Sequence, residues 1–338
     1  MIDLTPWLGD VPEAVVSRLN GAQRVLAVGH ENPDADTLGA TLAICRLVER
    51  RGAIATAVFA DPIPPIYDFI EGAERARLDP DPAIDYDLLV VSDCGSLDRI
   101  GAVRGRHPEL FERLPRIVID HHASNEAVGE NDWIEPGSAA TCEMVTLLAA
   151  RLGAPLTEGD GALATELMAG IVMDTATFAH PNATPRTLAV SAALVEAGAP
   201  LSDISRRLYR SKPDAQLKLF GRVLDRLETA AGGRIIHSTL LDSDLIATGA
   251  IAPHSEGIID LLAQSEEAEI AIVFKEAGEG TRISVRTKPG GVDATVLTGR
   301  FGGGGHARAA GATLALRVAA ARRAVLSEAE RMVAELAG

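Results

Sequence analysis

Cysteine is scarce and scattered: Cys45, Cys94 and Cys142 are odd in number, far apart and in no CxxC pair. That pattern argues against a cysteine zinc site or a disulfide framework. It suits a reducing cytoplasm and leaves the three as small apolar core residues. No uncharged apolar run reaches the roughly 18 residues that a transmembrane helix needs, so none is expected. The first ten residues hold no basic stretch followed by an apolar one, so no secretory signal is expected and the chain is read as cytoplasmic. Positive charge is also short. The formal net charge is −15, so the chain as a whole repels polyanions. Long duplex nucleic acid is therefore not an expected partner, because binding it rests on neutralising many phosphates. A nucleotide ligand would have to be short, with local charge or metal ions offsetting the acidity. The same acidic excess also serves solubility, so it limits partners only weakly.

What is present is a chain of 338 residues with 47% hydrophobic content, long enough for two domains with buried cores. Residues 24–29 (RVLAVG), 53–60, 87–92 (DLLVVS) and 116–119 (RIVI) read as short strands. Apolar on both faces and separated by helical patterns such as 37–51, they predict a parallel sheet flanked by helices. From 138 to about 226 the pattern turns helical. After Gly232–Gly233, residues 234–241, 268–274 and 281–287 read as strands, and 293–300 and 318–336 as helices. The fold class is α/β, and the division expected is 1–210 as a catalytic domain, 211–233 as a helical linker and 234–338 as a smaller α/β domain.

The polar residues fall where the strands stop. The first strand runs into GHENPDADTLG, which puts His30, Asp34 and Asp36 in a tight loop. The third ends at Asp93 in SDCG, and the fourth at Asp120, His121 and His122 in IDHH. Ligands of open α/β sheets bind outside the carboxyl ends of strands. Asp174 closes the apolar run LMAGIVMD, where a lone carboxylate is costly and needs a metal or basic partner. So many carboxylates together repel one another unless cations join them, and two divalent metals would resolve the conflict. The mixed oxygen and imidazole set, without thiolate, favours Mn²⁺, with Mg²⁺ or Co²⁺ as alternatives. Two metals about 4 Å apart are the usual arrangement for hydrolysing phosphate esters. Taken singly, each residue also has a plain reading: Asp34 as a turn residue, Asp36 as the cap of the next helix, Asp93 as the opening of a turn. Asp120 could orient an imidazole without touching metal.

HENPDADTLG, SDCGSLDRIG, VIDHHASN and GIVMDTATF, in that order, resemble the four motifs of the DHH phosphoesterases, and FGGGGHARAAG resembles the glycine-rich signature of the DHHA1 domain. The resemblance implies one metal held by His30, Asp34 and Asp93 and a second held by Asp36, Asp93, His121 and Asp174, with Asp93 shared. It implies that His122 contacts the scissile phosphate and that Asn125 braces the loop. Thr175-Ala176 stands where the family often has Thr-Gly, and Ala179-His180 where it often has an Arg. His180 is read either as a phosphate contact or as a merely exposed residue.

Residues 282–308 carry five basic residues (Arg282, Arg286, Lys288, Arg300, Arg308) against one acidic residue, Asp293. By resemblance, Arg286, Gly303, Gly304, Gly305 and His306 grip the substrate's terminal phosphate or base, in a cleft between the two domains. The glycine-rich signature speaks against pyrophosphate. The compact chain most resembles the group acting on very short RNA (pApA and similar), cyclic di-AMP or 3′-phosphoadenosine-5′-phosphate (PAP). A mainly PAP-directed phosphomonoesterase and a cyclic dinucleotide sensor that does not cut remain open, as does a homodimer.

Overall fold

The structure is a computed structural model that describes residues 2–125, 129 and 131–335. The chain divides into two compact units, Met1–Ser211 and Lys212–Gly338. In the first, β1 (Arg24–Val28), β2 (Ile54–Val58), β3 (Leu88–Ser92), β4 (Arg116–Asp120) and β5 (Trp133–Ile134) form one sheet in the order β2-β1-β3-β4-β5. All its pairings are parallel. Side chains alternate between two buried clusters: Val25, Ala27, Leu88, Val90, Ile117 and Ile119 face one, and Leu26, Val28, Leu89, Val91 and Val118 the other. This is why these strands read as continuous apolar runs: both faces are covered. The order reverses direction at β1 and β3, and such a switch point opens a crevice at the strands' carboxyl ends.

Two helices on the first cluster are drawn unusually close, Ala35–Glu49 and Ala162–Asp174. A Cβ at Gly39 would run into the carbonyl of Glu166, and one at Gly170 into Asp36 Oδ1 and Cys142 Sγ. Two glycines thus let the helix backbones approach where larger residues would hold them apart.

The second unit is a six-stranded mixed sheet. It contains β6 (Glu228–Ala230), β7 (Ile235–Leu240), β8 (Ile270–Ala277), β9 (Gly280–Thr287), β10 (Gly304–His306) and β11 (Ala309–Leu314), in the order β10-β11-β9-β8-β7-β6. Only β7 and β8 run parallel. Helix Val318–Glu335 covers Ile270, Ile272, Phe274, Ile283 and Val285 on one face. Helix Asp214–Asp225 and helix Ile258–Leu262 cover Ile236, Ala271 and Val273 on the other.

One expectation needs correction. Residues 211–233 are not a linker: Leu219, Phe220 and Val223 are core residues of the second unit, and 228–230 is a sheet strand. Within the glycine-rich stretch, Gly304–His306 pairs with Ala309–Leu314 as an edge hairpin. The helix predicted over 318–336 is described to Glu335, and 336 lies outside the described residues. Among the described residues, no single helix is long and apolar enough to cross a membrane.

Candidate metal centre

The loop after β1 is shaped by capping. Asp34 Oδ1 accepts hydrogen bonds from the backbone N–H groups of Asp36 and Thr37, both at 3.0 Å, so Asp34 is the N-cap of helix Ala35–Glu49. Asp34, not Asp36, therefore fills the capping position. Its other oxygen, Oδ2, lies 3.8 Å from His30 Nε2. His30 is buried, and its Nδ1 lies 2.6 Å from the Glu31 carbonyl. That carbonyl can only accept, so Nδ1 donates and Nε2 is the ring atom facing the carboxylates.

Asp93 follows β3 directly and has φ +57°, a left-handed conformation that few non-glycine residues adopt. The twist points its two oxygens in different directions. Oδ2 accepts from Thr37 Oγ1 at 2.5 Å and lies 3.6 Å from His30 Nε2. Oδ1 accepts from Thr141 Oγ1 at 3.0 Å and lies 3.5 Å from His121 Nε2. Asp36, with no exposed surface, is received by the start of helix Thr141–Arg151: Thr141 N donates to Oδ2 at 2.7 Å and Cys142 N to Oδ1 at 2.9 Å. A helix N-terminus favours a carboxylate there. Asp174 has the opposite setting. It ends helix Ala162–Asp174, where the helix dipole disfavours negative charge, and its Oδ2 is 3.1 Å from His121 Nε2.

Electrostatics mark the cluster as short of positive charge. Burial first, then the charges of Asp93 and Asp174, push Asp36 well above the usual carboxylate range. Burial also lifts Asp174 to about 6. Burial alone would lower His121, but Asp174, Asp36 and Asp93 outweigh it and push the imidazole up to about 10. Two such histidines are too little cation for four carboxylates, and divalent ions fit the deficit. Ligand atoms fall into groups whose members lie within 4.8 Å of one another: His30/Asp34/Asp93, Asp36/His121/Asp174 and Asp93/His121/His122. The third is the poorest fit as a metal pocket, because His122 Nδ1 is taken up by Asp120 Oδ1 at 2.7 Å.

Asp120 itself is fully buried and takes no part in those groups. Burial would raise it, but hydrogen bonds from His122 and from Asn125 Nδ2 (2.6 Å) hold it below its usual value. It fixes His122 with Nδ1 inward and Nε2 outward, the arrangement in which a carboxylate sets a ring's tautomer. His180 is exposed, and its Nδ1 lies 3.0 Å from the Asp174 carbonyl, so it braces its own turn.

Spacing alone did not reveal the Thr37 and Thr141 hydroxyls or the helix start at 141, since they meet Asp36 and Asp93 only through the fold. It also missed the strap after Asp174. Ala176, Thr177 and Phe178 all have positive φ, at 47°, 58° and 64°. Thr177 N to the Val172 carbonyl (2.9 Å) and Phe178 N to Thr175 Oγ1 (2.9 Å) hold them there. The one signal was Ala176 at a position where the resemblance expects glycine.

In the second unit, Arg286, Gly304 and Gly305 line a cavity of about 370 Å³ on the β8–β9 face. Arg286 Nε donates to Asp260 Oδ1 at 2.8 Å. Gly303 is locked against β11, where a Cβ would meet the Gly311 carbonyl, while Gly304 has open space and His306 is exposed. The five basic residues counted in sequence do not form one patch: Arg300 pairs with Glu328 and Lys288 Nζ donates to the Glu266 carbonyl.

Acid–histidine groups at the switch point of a parallel sheet, followed by a glycine-edged mixed sheet, define a two-part phosphoesterase-like architecture. The N-terminal domain of the DHH family matches residues 24–171, and the DHHA1 domain matches residues 232–335. The chain belongs to the DHH family. A Thermus thermophilus protein named bifunctional oligoribonuclease and PAP phosphatase NrnA is 32% identical over 285 residues, 84% of this chain and 82% of that one. A Bacillus subtilis protein of the same name is 24% identical over 84% of this chain and 87% of its own length. An exopolyphosphatase-related protein from Bacteroides fragilis shares the fold with a TM-score of 0.85, covering 97% of this chain and 98% of that one at 21% identity.

Proposed function

We propose that the chain is a cytoplasmic phosphoesterase that uses two divalent metal ions, Mn²⁺ foremost. Its substrates would be short oligoribonucleotides such as pApA, together with PAP, and its products AMP and other mononucleotides. Cyclic di-AMP is a further candidate substrate. The observation that carries the reading is Asp93, whose two oxygens face two separate histidine–carboxylate groups. The names of the Thermus and Bacillus relatives support the substrate class.

In this reading His30, Asp34 and Asp93 would hold one ion, and Asp36, Asp93, His121 and Asp174 would hold the other. Bound ions would acidify water for attack and neutralise the phosphate. The remaining work falls to the protein. Thr37 and Thr141 fix the orientation of the Asp93 carboxylate. Asp120 keeps the His122 proton on Nδ1 and supports the charge that forms when Nε2 is also protonated. His122 Nε2 would then give its proton to the 3′-oxygen as the P–O3′ bond breaks and water's oxygen becomes bonded to phosphorus, and the proton shed by that water passes to solvent, from which Nε2 is reprotonated. Asn125 steadies Asp120. Arg286, Gly303–Gly305 and His306 hold the far end of the nucleotide, Gly304 being the member whose backbone an anion can approach.

Product chromatography tests this with pApA, PAP, cyclic di-AMP and pyrophosphate, each with Mn²⁺ and with EDTA. AMP from pApA and PAP, lost in EDTA, is the expected result. Phosphate from pyrophosphate alone overturns the substrate class, and tight binding of cyclic di-AMP without any product replaces the enzyme with a sensor.

A further inference from the structure

We propose that Lys275 and Arg282 form a second phosphate subsite in the C-terminal unit, beyond the one built on Arg286 and Gly304. The inference rests on the oligonucleotide reading above and extends it to substrate length.

The argument begins with strand register. Lys275 on β8 and Arg282 on β9 are direct cross-strand partners in an antiparallel pair. Directly opposed side chains on such a pair stand about 5 Å apart at Cβ, and like charges there repel. Both side chains line the 370 Å³ cavity, together with Ser284 and Arg286 from the same face. Neither has a carboxylate to offset the repulsion. Lys275 is half-buried, and its Nζ donates only to neutral groups, Ser255 Oγ at 2.8 Å and the Ala252 carbonyl at 3.4 Å. Arg282 makes no hydrogen bond or ion pair among the described residues.

Arg286 differs in just this respect, because Asp260 already takes its Nε. The uncompensated charge of the cavity therefore sits at 275 and 282. An exposed Glu256 at the rim is the one carboxylate left against it. A dianionic phosphate between Lys275 and Arg282 would remove the like-charge conflict and use their free N–H donors.

Separation then sets the ligand class. Arg282 and Arg286 are four residues apart on β9, about 13 Å at the rise of an extended strand. Tethers keep Lys275 on Ser255 and Arg286 on Asp260, so the two centres do not converge on one phosphate. The cavity volume is in the range of ligand sites. A single ligand that satisfies both centres carries phosphates spaced along a chain, which is an oligonucleotide longer than a dinucleotide.

The test is equilibrium binding of fluorescent pA2 and pA4 to the full chain in EDTA, at several salt concentrations. Wild type should bind pA4 about tenfold tighter than pA2. Its salt slope for pA4 should be steeper by about 0.7 per added phosphate contact. Arg282→Gln and Lys275→Gln should each collapse the pA4:pA2 ratio towards one and flatten the pA4 slope. Arg282 has no partner to lose, and thermal melts of both variants check the fold. Equal affinity of wild type for the two lengths overturns the subsite, and so does an unchanged ratio in both variants. Hydrolysis of pApA and PAP by wild type is read separately, so failure of the activity and failure of the subsite remain distinct results.

Discussion

The two units of the chain hold opposite electrical deficits. In Met1–Ser211 four carboxylates crowd two histidines: burial and then neighbouring carboxylates displace Asp36 and Asp174 upward, and against burial the carboxylates of Asp174, Asp36 and Asp93 displace His121 upward. In Lys212–Gly338 the buried carboxylate is satisfied: Asp244 accepts from Arg222 at 2.8 Å, from Arg226 at 2.7 Å and from the Leu241 backbone at 2.9 Å. In the cavity of that unit, the basic side chains left without a carboxylate partner are Lys275 and Arg282. On the proposed reading one unit would receive cations and the other an anion, so net charge alone misdescribes both. Backbone strain divides in the same way. Among the described residues, six of the seven non-glycine positive-φ positions belong to the first unit, four of them at Asp93 and in the strap after Asp174.

The strongest way to break this contrast is Asp93→Asn. It should lower kcat on PAP by about 10³-fold or more, because the shared carboxylate serves both metal groups. Calorimetry should show weakened Mn²⁺ binding, while affinity of the second unit for pA4 persists. Retained activity would remove Asp93 from its central place. Asp120→Asn should have a milder effect, about 10–100-fold in kcat, as expected for a residue acting through another's ring. Its signature is a shifted pH–rate profile with Mn²⁺ affinity little changed.

Metal should also separate the units thermally. Trp7 and Trp133 are the two tryptophans and both lie in the first unit, so their fluorescence reports that unit alone. Mn²⁺ at a hundred times its Kd should stabilise the fluorescence transition by about 2.7 kcal/mol. Melting of the second unit, followed by circular dichroism, should not move.

The pH dependence should run in opposite directions. His121 is raised from 6.5 to about 10, so in EDTA its contribution is complete below pH 6.5 and is lost as pH climbs towards 10. Asp244 is lowered from 3.8 to about 2, the hydrogen bonds from Arg226 and Arg222 outweighing burial, so its contribution is complete above pH 3.8 and lost as pH falls towards 2. Denaturant titrations across pH would contradict the contrast if both units weakened on the same side. The smallest effect expected is from Ala176→Gly. Relief of a left-handed alanine should exceed the added freedom of the unfolded chain and raise stability by about 0.5–1 kcal/mol.

The first sheet and its site were largely legible because the chemistry is local. His30, Asp93 and Asp120 fall where apolar runs stop, and strand ends are visible in a single sequence. The residues that complete the site are not local. Thr141 reaches Asp93 and Asp36 across 48 and 105 positions, and nothing around residue 141 announces it. The second unit was less legible for another reason. Gly304–His306 and Ala309–Leu314 pair as strands although glycine and alanine have little strand preference, so tertiary pairing overrides composition. The apparent basic cluster failed similarly, because Arg286 and Arg300, in one stretch of sequence, pair with different carboxylates, Asp260 and Glu328.

Gly170 sets how this lineage can drift. A single methyl there would strike Asp36 and Cys142 together, so selection at 170 acts on volume and is blind to polarity. Alanine, usually the gentlest of replacements, would press at once on a buried carboxylate of the candidate metal centre and on a buried thiol. Relatives that carry a bulkier residue at this place are expected to have lost bulk at the counterpart of Cys142, a paired change that an alignment of the lineage would display as covariation.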